Sequence, residues 1–153
     1  MIRIPAPCLS TIRAAAETAY PEECCGLLVG RDGDADDIVV TAVEPSPNRA
    51  VGDRRDSFEV DPQLRFDVMR RLDKMNAKGG QAERIVGHYH SHPNHPPLPS
   101  ARDLEMAYEP EMVWVIVAVE DGHATDARAH RLDEESNQFR AIEIVTENPL
   151  KRS

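Results

Sequence analysis

The sequence predicts an α/β domain with a mostly antiparallel sheet flanked by about three helices. Three observations carry that expectation. Two stretches set apolar residues at helical spacing: Leu9, Ile12, Ala16 and Ala19, then Leu64, Val68, Leu72 and Met75. Around them lie short apolar or alternating runs bounded by glycine, proline and aspartate, the pattern of strands. The chain has 153 residues, 41% apolar and 29% charged, which suits one domain with a real core.

Taken in order, Arg3–Ile4 is a short first strand ended by Pro5. Pro7 falls in the first turn of a helix to about Ala19, where its missing N–H costs nothing, and Pro21 stops that helix. CGLLVG at Cys25–Gly30 reads as a buried strand, and RDGDADD turns the chain into a second strand at Ile38–Val43. Glu44–Ser57 has no periodicity and carries two prolines, a glycine and three arginines, so it is a long loop of the kind that is functional or mobile. A short strand is expected at Phe58–Val60. Asp61 and Pro62 then open a helix to about Ala77, which Gly79 and Gly80 end.

Arg84–His92 is a strand that Pro93 interrupts, and Ser100 caps a short helix that Pro110 stops. MVWVIVAV at Met112–Val119 is apolar on both faces, which places it centrally in the sheet. His123–Arg131 and Gln138–Val145 complete the sheet as further antiparallel strands. The domain spans residues 1–146, and 147–153 is a frayed tail.

Composition excludes some functions. A net charge of −9 argues against a large nucleic-acid footprint. No apolar run approaches the roughly eighteen residues of a membrane span, and MIRIPAPCLS reaches Pro5 without the apolar core of a secretion signal. The three cysteines, Cys8, Cys24 and Cys25, are odd in number and two are adjacent, a poor disulfide framework. They are expected as reduced, structural thiols in a cytoplasm.

Chemistry concentrates in Gly87–Asp103, GHYHSHPNHPPLPSARD, with four histidines, a serine and an aspartate in seventeen residues. Residues two apart on a strand face the same side, so His88, His90 and His92 share a face and two of them can hold one ion. Imidazole nitrogens bind zinc at short, fixed distances, and a catalytic zinc takes three protein ligands with one position open. Asp103 fits as the third, in the first turn of the helix capped by Ser100, with ten residues between it and His92. The same spacing from His90 lands on Ala101, which cannot bind metal; this favours His90 with His92. Plainer readings stand beside this one: Ser100 and Asp103 also make a capping arrangement, and a lone His-x-His is more often surface or packing.

His90-Ser91-His92-Pro93, six intervening residues and Ser100-Ala101-Arg102-Asp103 resemble the signature of the JAMM (MPN+/JAB) zinc metalloproteases of the short bacterial type. PEECCGLLVG resembles the element that brings a glutamate before that family's Cys-Gly strand, and the order of elements is similar over nearly the whole chain. The resemblance implies an MPN domain, cytidine-deaminase-like in architecture, with one Zn2+ on His90, His92 and Asp103 and a water completing the site. It implies Glu23 as general base, with the adjacent Glu22 an alternative, and Ser100 as a donor to the oxyanion. His88 and His95 lie outside the matched positions, His88 as packing or support and His95 as a loop residue, solvated or flanking the substrate path.

Enzymes of the family this chain resembles cut after the C-terminal Gly-Gly of ubiquitin or ubiquitin-like β-grasp proteins. Its short bacterial members look like processors of sulfur carriers. The chain has little room for the insertions of ubiquitin-selective relatives, so the expected substrate is a ubiquitin-like or sulfur-carrier protein. A functional link to a ubiquitin-activating-type adenylating enzyme is expected, with no nucleic-acid or membrane partner. The substrate tail can add as a strand beside the sheet, and Arg49, Arg54 and Arg55 are candidates for gripping it or a terminal carboxylate. Two readings compete: a non-catalytic MPN scaffold, against which the complete ligand set argues, and a RadC-like protein, against which the acidic balance argues. No Pro-Cys-x-x-Cys supports a deaminase-type site.

Overall fold

Prolines set the first boundaries. Pro5 ends β1 (Ile2–Pro5), and Pro7 lies in the first turn of α1 (Ala6–Ala19), whose Ile12 and Ala16 are fully buried. The computed structural model describes residues 1–105, 107, 109 and 111–148. It continues with β2 (Cys25–Asp32), β3 (Ile38–Ser46), α2 (Pro62–Ala77), β4 (Arg84–Pro93) and α3 (Ala101–Glu105). Last come β5 (Val113–Glu120), β6 (His123–Asp133), β7 (Gln138–Ile142) and β8 (Ile144–Glu147). Among the described residues no helix is long and apolar enough to cross a membrane.

The eight strands form one sheet in the order β7-β6-β5-β4-β2-β3-β1-β8. Four of the seven pairings are antiparallel, while β1–β3, β1–β8 and β4–β5 are parallel. The antiparallel majority is therefore slim. One parallel pair arises because β4 reaches β5 through α3, a crossover, as parallel strands require.

β7 and β8 are the two ends of that strand order, yet Glu143 alone separates them in the chain. A flat sheet of eight strands would hold its edges roughly 34 Å apart. Ile142 and Ile144 are no more than about 7 Å apart. The sheet is therefore curled until its edges meet, and the Ile2 N–H donates to the Glu143 carbonyl at 2.8 Å across the seam. α1 packs inside the curl against β1, β3, β4, β5, β6 and β8. The core there gathers Ile2, Ile4, Ile12, Val86, Tyr89, Val113 and Val115, each fully buried; burying one such aliphatic side chain stabilises by about 1.5–3 kcal/mol before entropy is counted. On the other face, α2 covers β4 and β2 with Val68 and Leu72 against Leu27, Val29 and Ile85.

Several boundaries differ from expectation, each for a physical reason. Phe58–Val60 is not a strand; a single bridge joins Asn48 to Val60. The Asn48 side chain takes up this segment's backbone instead, accepting the N–H groups of Ala50 and Glu59. Gln138–Val145 is two strands, because the chain changes sheet edge at Glu143. β3 runs on to Ser46, held by pairing with Leu27, Gly26 and Cys25, so the long loop begins at Pro47. Pro93 stays in β4, opposite Val119. Met75 is half-exposed rather than buried, since α2 meets the sheet through its earlier turns. Strand pairing continues through Glu147, opposite Pro5, where Arg3 ion-pairs with its carboxylate at 3.4 Å. Residues 149–153 of the expected tail, and Pro110 as a helix stop, lie outside the described residues.

Candidate active site

The site is assembled where β2 enters the sheet beside the end of β4. The two strands pair antiparallel with Cys25 opposite His90 and Gly26 opposite Tyr89. Glycine is required there, because a Cβ on Gly26 would collide with the Tyr89 ring. Ser91, facing away from the histidines, accepts the Cys24 N–H on its Oγ at 2.8 Å, and its own N–H donates to the Cys24 carbonyl at 3.2 Å. That clamp sets Glu23 next to His90 and His92.

The imidazoles converge. His90 Nε2 and His92 Nε2 lie 3.1 Å apart. Asp103 closes on both, with Oδ2 3.2 Å from His92 Nε2 and Oδ1 3.4 Å from His90 Nε2. His92 donates from Nδ1 to the Pro96 carbonyl at 2.9 Å, which leaves its Nε2 lone pair for the centre. His90 is oriented by its ring, stacked on Phe58 at 4.2 Å and 15°. Two imidazole nitrogens this close, both beside one carboxylate, converge on a single point that a proton or a cation can occupy. This donor set fits a divalent metal of the zinc type.

Asp103 is tied on all sides. Its Oδ2 accepts the Ser100 N–H at 2.8 Å, and its own N–H donates to Ser100 Oγ at 3.0 Å. The capping box and the expected ligand position are thus one arrangement. Burial alone would raise the Asp103 pKa, but the hydrogen bonds to His90 and His92 win and hold it well below the carboxylate range. The same contact and the Pro96 carbonyl outweigh burial at His92 and raise its pKa, whereas at His90 burial wins and lowers it.

Glu23 is the opposite case. It is buried, 5% exposed, and its Oε1 has no hydrogen-bond partner among the described residues. Its carboxylate comes within 4.8 Å of both imidazole nitrogens without bonding to either. Burial, with Asp103 and Asp56 adding to it against His92 and Arg102, pushes its pKa up to about 8. The residue is held by its backbone: its N–H donates to the Arg54 carbonyl at 2.7 Å, and its carbonyl accepts from Asn48 Nδ2 at 3.1 Å. Glu22 is exposed and lines other hollows, not this one.

An open cleft of about 550 Å³ leads to these groups, lined by Glu23, Asp56, His92, His95, Ser100 and Arg102 with Pro96, Leu98 and Ala101. His95 is therefore at the cleft. His88 is not: it sits edge-on to Trp114 at 4.2 Å, beneath His90, and burial pushes its pKa down to about 3. Arg49, Arg54 and Arg55 do not line the cleft. Arg49 pairs with Asp61, Arg55 with Asp53, and Arg54 donates to the Ala50 carbonyl. Cys24 and Cys25 are buried free thiols whose pKa values burial raises to about 11 and about 12, leaving them inert at neutral pH.

Sequence reasoning missed three supporting residues. Asn48 also donates to the Ser57 carbonyl at 2.9 Å, Phe58 stacks on His90, and His130 donates to the Pro97 carbonyl at 3.0 Å, anchoring the proline-rich loop. Only the loop's Asn-Arg and His130's place on a strand hinted at them.

A curled mixed sheet around one helix, with a His-x-His strand end facing a capped aspartate, defines a JAB/MPN-type domain. The chain matches the model for prokaryotic homologs of the JAB domain over residues 5–133, and it belongs to that family. It is 36% identical over 139 residues to a desampylase of Haloferax volcanii, covering 91% of this chain and 88% of that one. It is 28% identical over 132 residues to a CysO-cysteine peptidase of Mycobacterium tuberculosis, covering 84% and 81%. A solution structure from Desulfitobacterium hafniense superposes with a TM-score of 0.80 at 27% identity, over 99% of this chain and 96% of that one. The class is that of JAMM-type hydrolases of peptide or isopeptide bonds.

Proposed function

We propose that this protein is a zinc peptidase that hydrolyses the amide bond after the C-terminal Gly-Gly of a ubiquitin-like or sulfur-carrier protein. The observation that carries this is a pair of buried carboxylates flanking the same two imidazoles, Asp103 bonded through both oxygens and Glu23 with an oxygen that has no partner among the described residues. The names of the two relatives, a desampylase and a CysO-cysteine peptidase, support a small carrier protein as substrate.

His90, His92 and Asp103 would hold the zinc. When bound, the ion lowers the pKa of water toward neutrality and polarises a carbonyl. With the ion's charge beside it the buried Glu23 carboxyl would be ionised, and as a carboxylate it takes a proton from the attacking water. The water oxygen bonds to the carbonyl carbon, the C–N bond breaks, and Glu23 gives the proton to the departing amine. Ser100 Oγ accepts the Asp103 N–H, which leaves its hydroxyl proton to donate to the oxyanion. The free thiols suit a reducing cytoplasm, and an adenylating enzyme of the ubiquitin-activating type would charge the carrier.

The test is incubation of the zinc-loaded protein with a carrier extended beyond Gly-Gly, followed by mass spectrometry. Release of the extension, leaving a Gly-Gly terminus, is expected. An intact carrier with one zinc per chain would overturn the reading.

A further inference from the structure

We infer that Arg102 receives the α-carboxylate of a single amino acid attached to the Gly-Gly end, so that the leaving group is a free amino acid and not a lysine side chain. This rests on the peptidase reading above.

Arg102 lines the cleft together with Glu23, Ser100 and Asp56. Neither Arg102 nor Asp56 makes a hydrogen bond or ion pair with any described residue. The loop arginines that the sequence offers for a carboxylate are engaged elsewhere: Arg49 and Arg55 hold aspartates, and Arg54 holds a backbone carbonyl. In the cleft lining, then, Arg102 supplies the guanidinium, and it is unpaired among the described residues.

Its backbone is placed by its neighbours in sequence. Arg102 lies between Ser100, which lines the cleft, and Asp103, which is locked to both imidazoles. A substrate amide positioned for Ser100 and Glu23 therefore has its nitrogen side within the cavity that Arg102 borders. In an α-linked amino acid the carboxylate is two bonds from that nitrogen. In a lysine side chain the nitrogen ends a four-carbon stem with no carboxylate beside it. A planar guanidinium suits a carboxylate and has no counterpart on that stem.

The charges agree with the product. Once the C–N bond is cut and the amine has gained its proton, a free amino acid carries one anion and one cation. The cleft lining holds one cation, Arg102, and one anion, Asp56, beside Glu23, neither of them paired among the described residues.

The experiment compares two forms of one probe, a carrier protein ending in Gly-Gly extended by a single alanine, with the alanine as free acid or as carboxamide. The zinc-loaded wild type should cleave the acid with a kcat/KM about ten- to a hundredfold higher, the scale of a hydrogen bond to a charged group. Arg102→Ala should bring the two rates together through loss on the acid, and Arg102→Lys should restore part of the preference. Calorimetry on Glu23→Gln, with and without Arg102→Ala, reads binding apart from turnover and should show the same preference lost. Zinc content and melting temperature report on folding. Equal cleavage of both probes by the wild type, or an equal loss on both in Arg102→Ala, overturns this inference and leaves the peptidase reading standing. Cleavage of neither probe by zinc-loaded protein overturns both.

Discussion

Two carboxylates share one cleft and behave in opposite ways. Asp103, on the α3 side, is bonded to the Ser100 backbone and faces both imidazoles, and its pKa lies far below the ordinary range. Glu23, on the β2 side, has an unpaired oxygen and a pKa near 8. The same burial acts on both; hydrogen bonding decides the difference. A carboxylate held as a permanent anion suits a cation, and one poised near neutrality suits moving a proton. In the proposed mechanism the two sides of the cleft take separate jobs.

The largest effect should come from Asp103→Asn. Losing the anion should drop zinc to background by metal analysis and turnover below detection; a variant that keeps zinc would erase the distinction between the two carboxylates. Glu23→Gln should keep zinc and lower kcat by about 10²–10⁴. In metal-free protein the same substitution has a pH signature. Glu23 ionises near pH 4.5 when unfolded and near 8 when folded, so folding favours its protonated form and stability falls as pH rises through that window. Thermal melts of metal-free wild type should therefore lose ground between pH 4.5 and 8 relative to Glu23→Gln. Parallel curves would sink this account of Glu23.

Smaller effects test the supports. Ser100→Ala should retain zinc, lower kcat about 10²–10³-fold and cost about 1 kcal/mol at the helix start. Ser100→Thr should recover much of both. Asn48→Ala strips partners from the Ala50 and Glu59 N–H groups and from the Glu23 carbonyl. It should destabilise by about 1–3 kcal/mol in urea titrations and lower kcat about tenfold with zinc unchanged, the scale of lost supporting bonds. An unaltered kcat would mean that β2 alone positions Glu23.

What could be read from the sequence was what short-range geometry controls. His90 and His92 share a face because strands alternate, and Ser100 and Asp103 meet because a capping box closes over three residues. The helices at Ala6–Ala19 and Pro62–Ala77 follow from spacing and prolines. What escaped depends on distant partners. Phe58 meets His90 across more than thirty residues, His130 meets Pro97, and Asn48 replaces a strand with side-chain bonds. The break at Glu143 has no glycine or proline to mark it in QFRAIEIV, a mixed polar and apolar stretch whose division is decided by where the sheet's edges meet. The loop arginines looked available because their aspartates, Asp53 and Asp61, do not announce whom they pair with.

The seam at Glu143 also orders events during synthesis. Glu23, His90, His92, Ser100 and Asp103 all leave the ribosome before β7 and β8 exist. The strands that frame the candidate site, β2 and β4, are then already available to pair, while α1 still lacks the β8 side of its enclosure. Closing the ring joins residue 2 to residue 143, and the entropy of so long a loop grows only slowly with its length. Until β8 pairs with β1, that side of the core is open, and a chain exposing apolar surface is the form that chaperones and proteases engage.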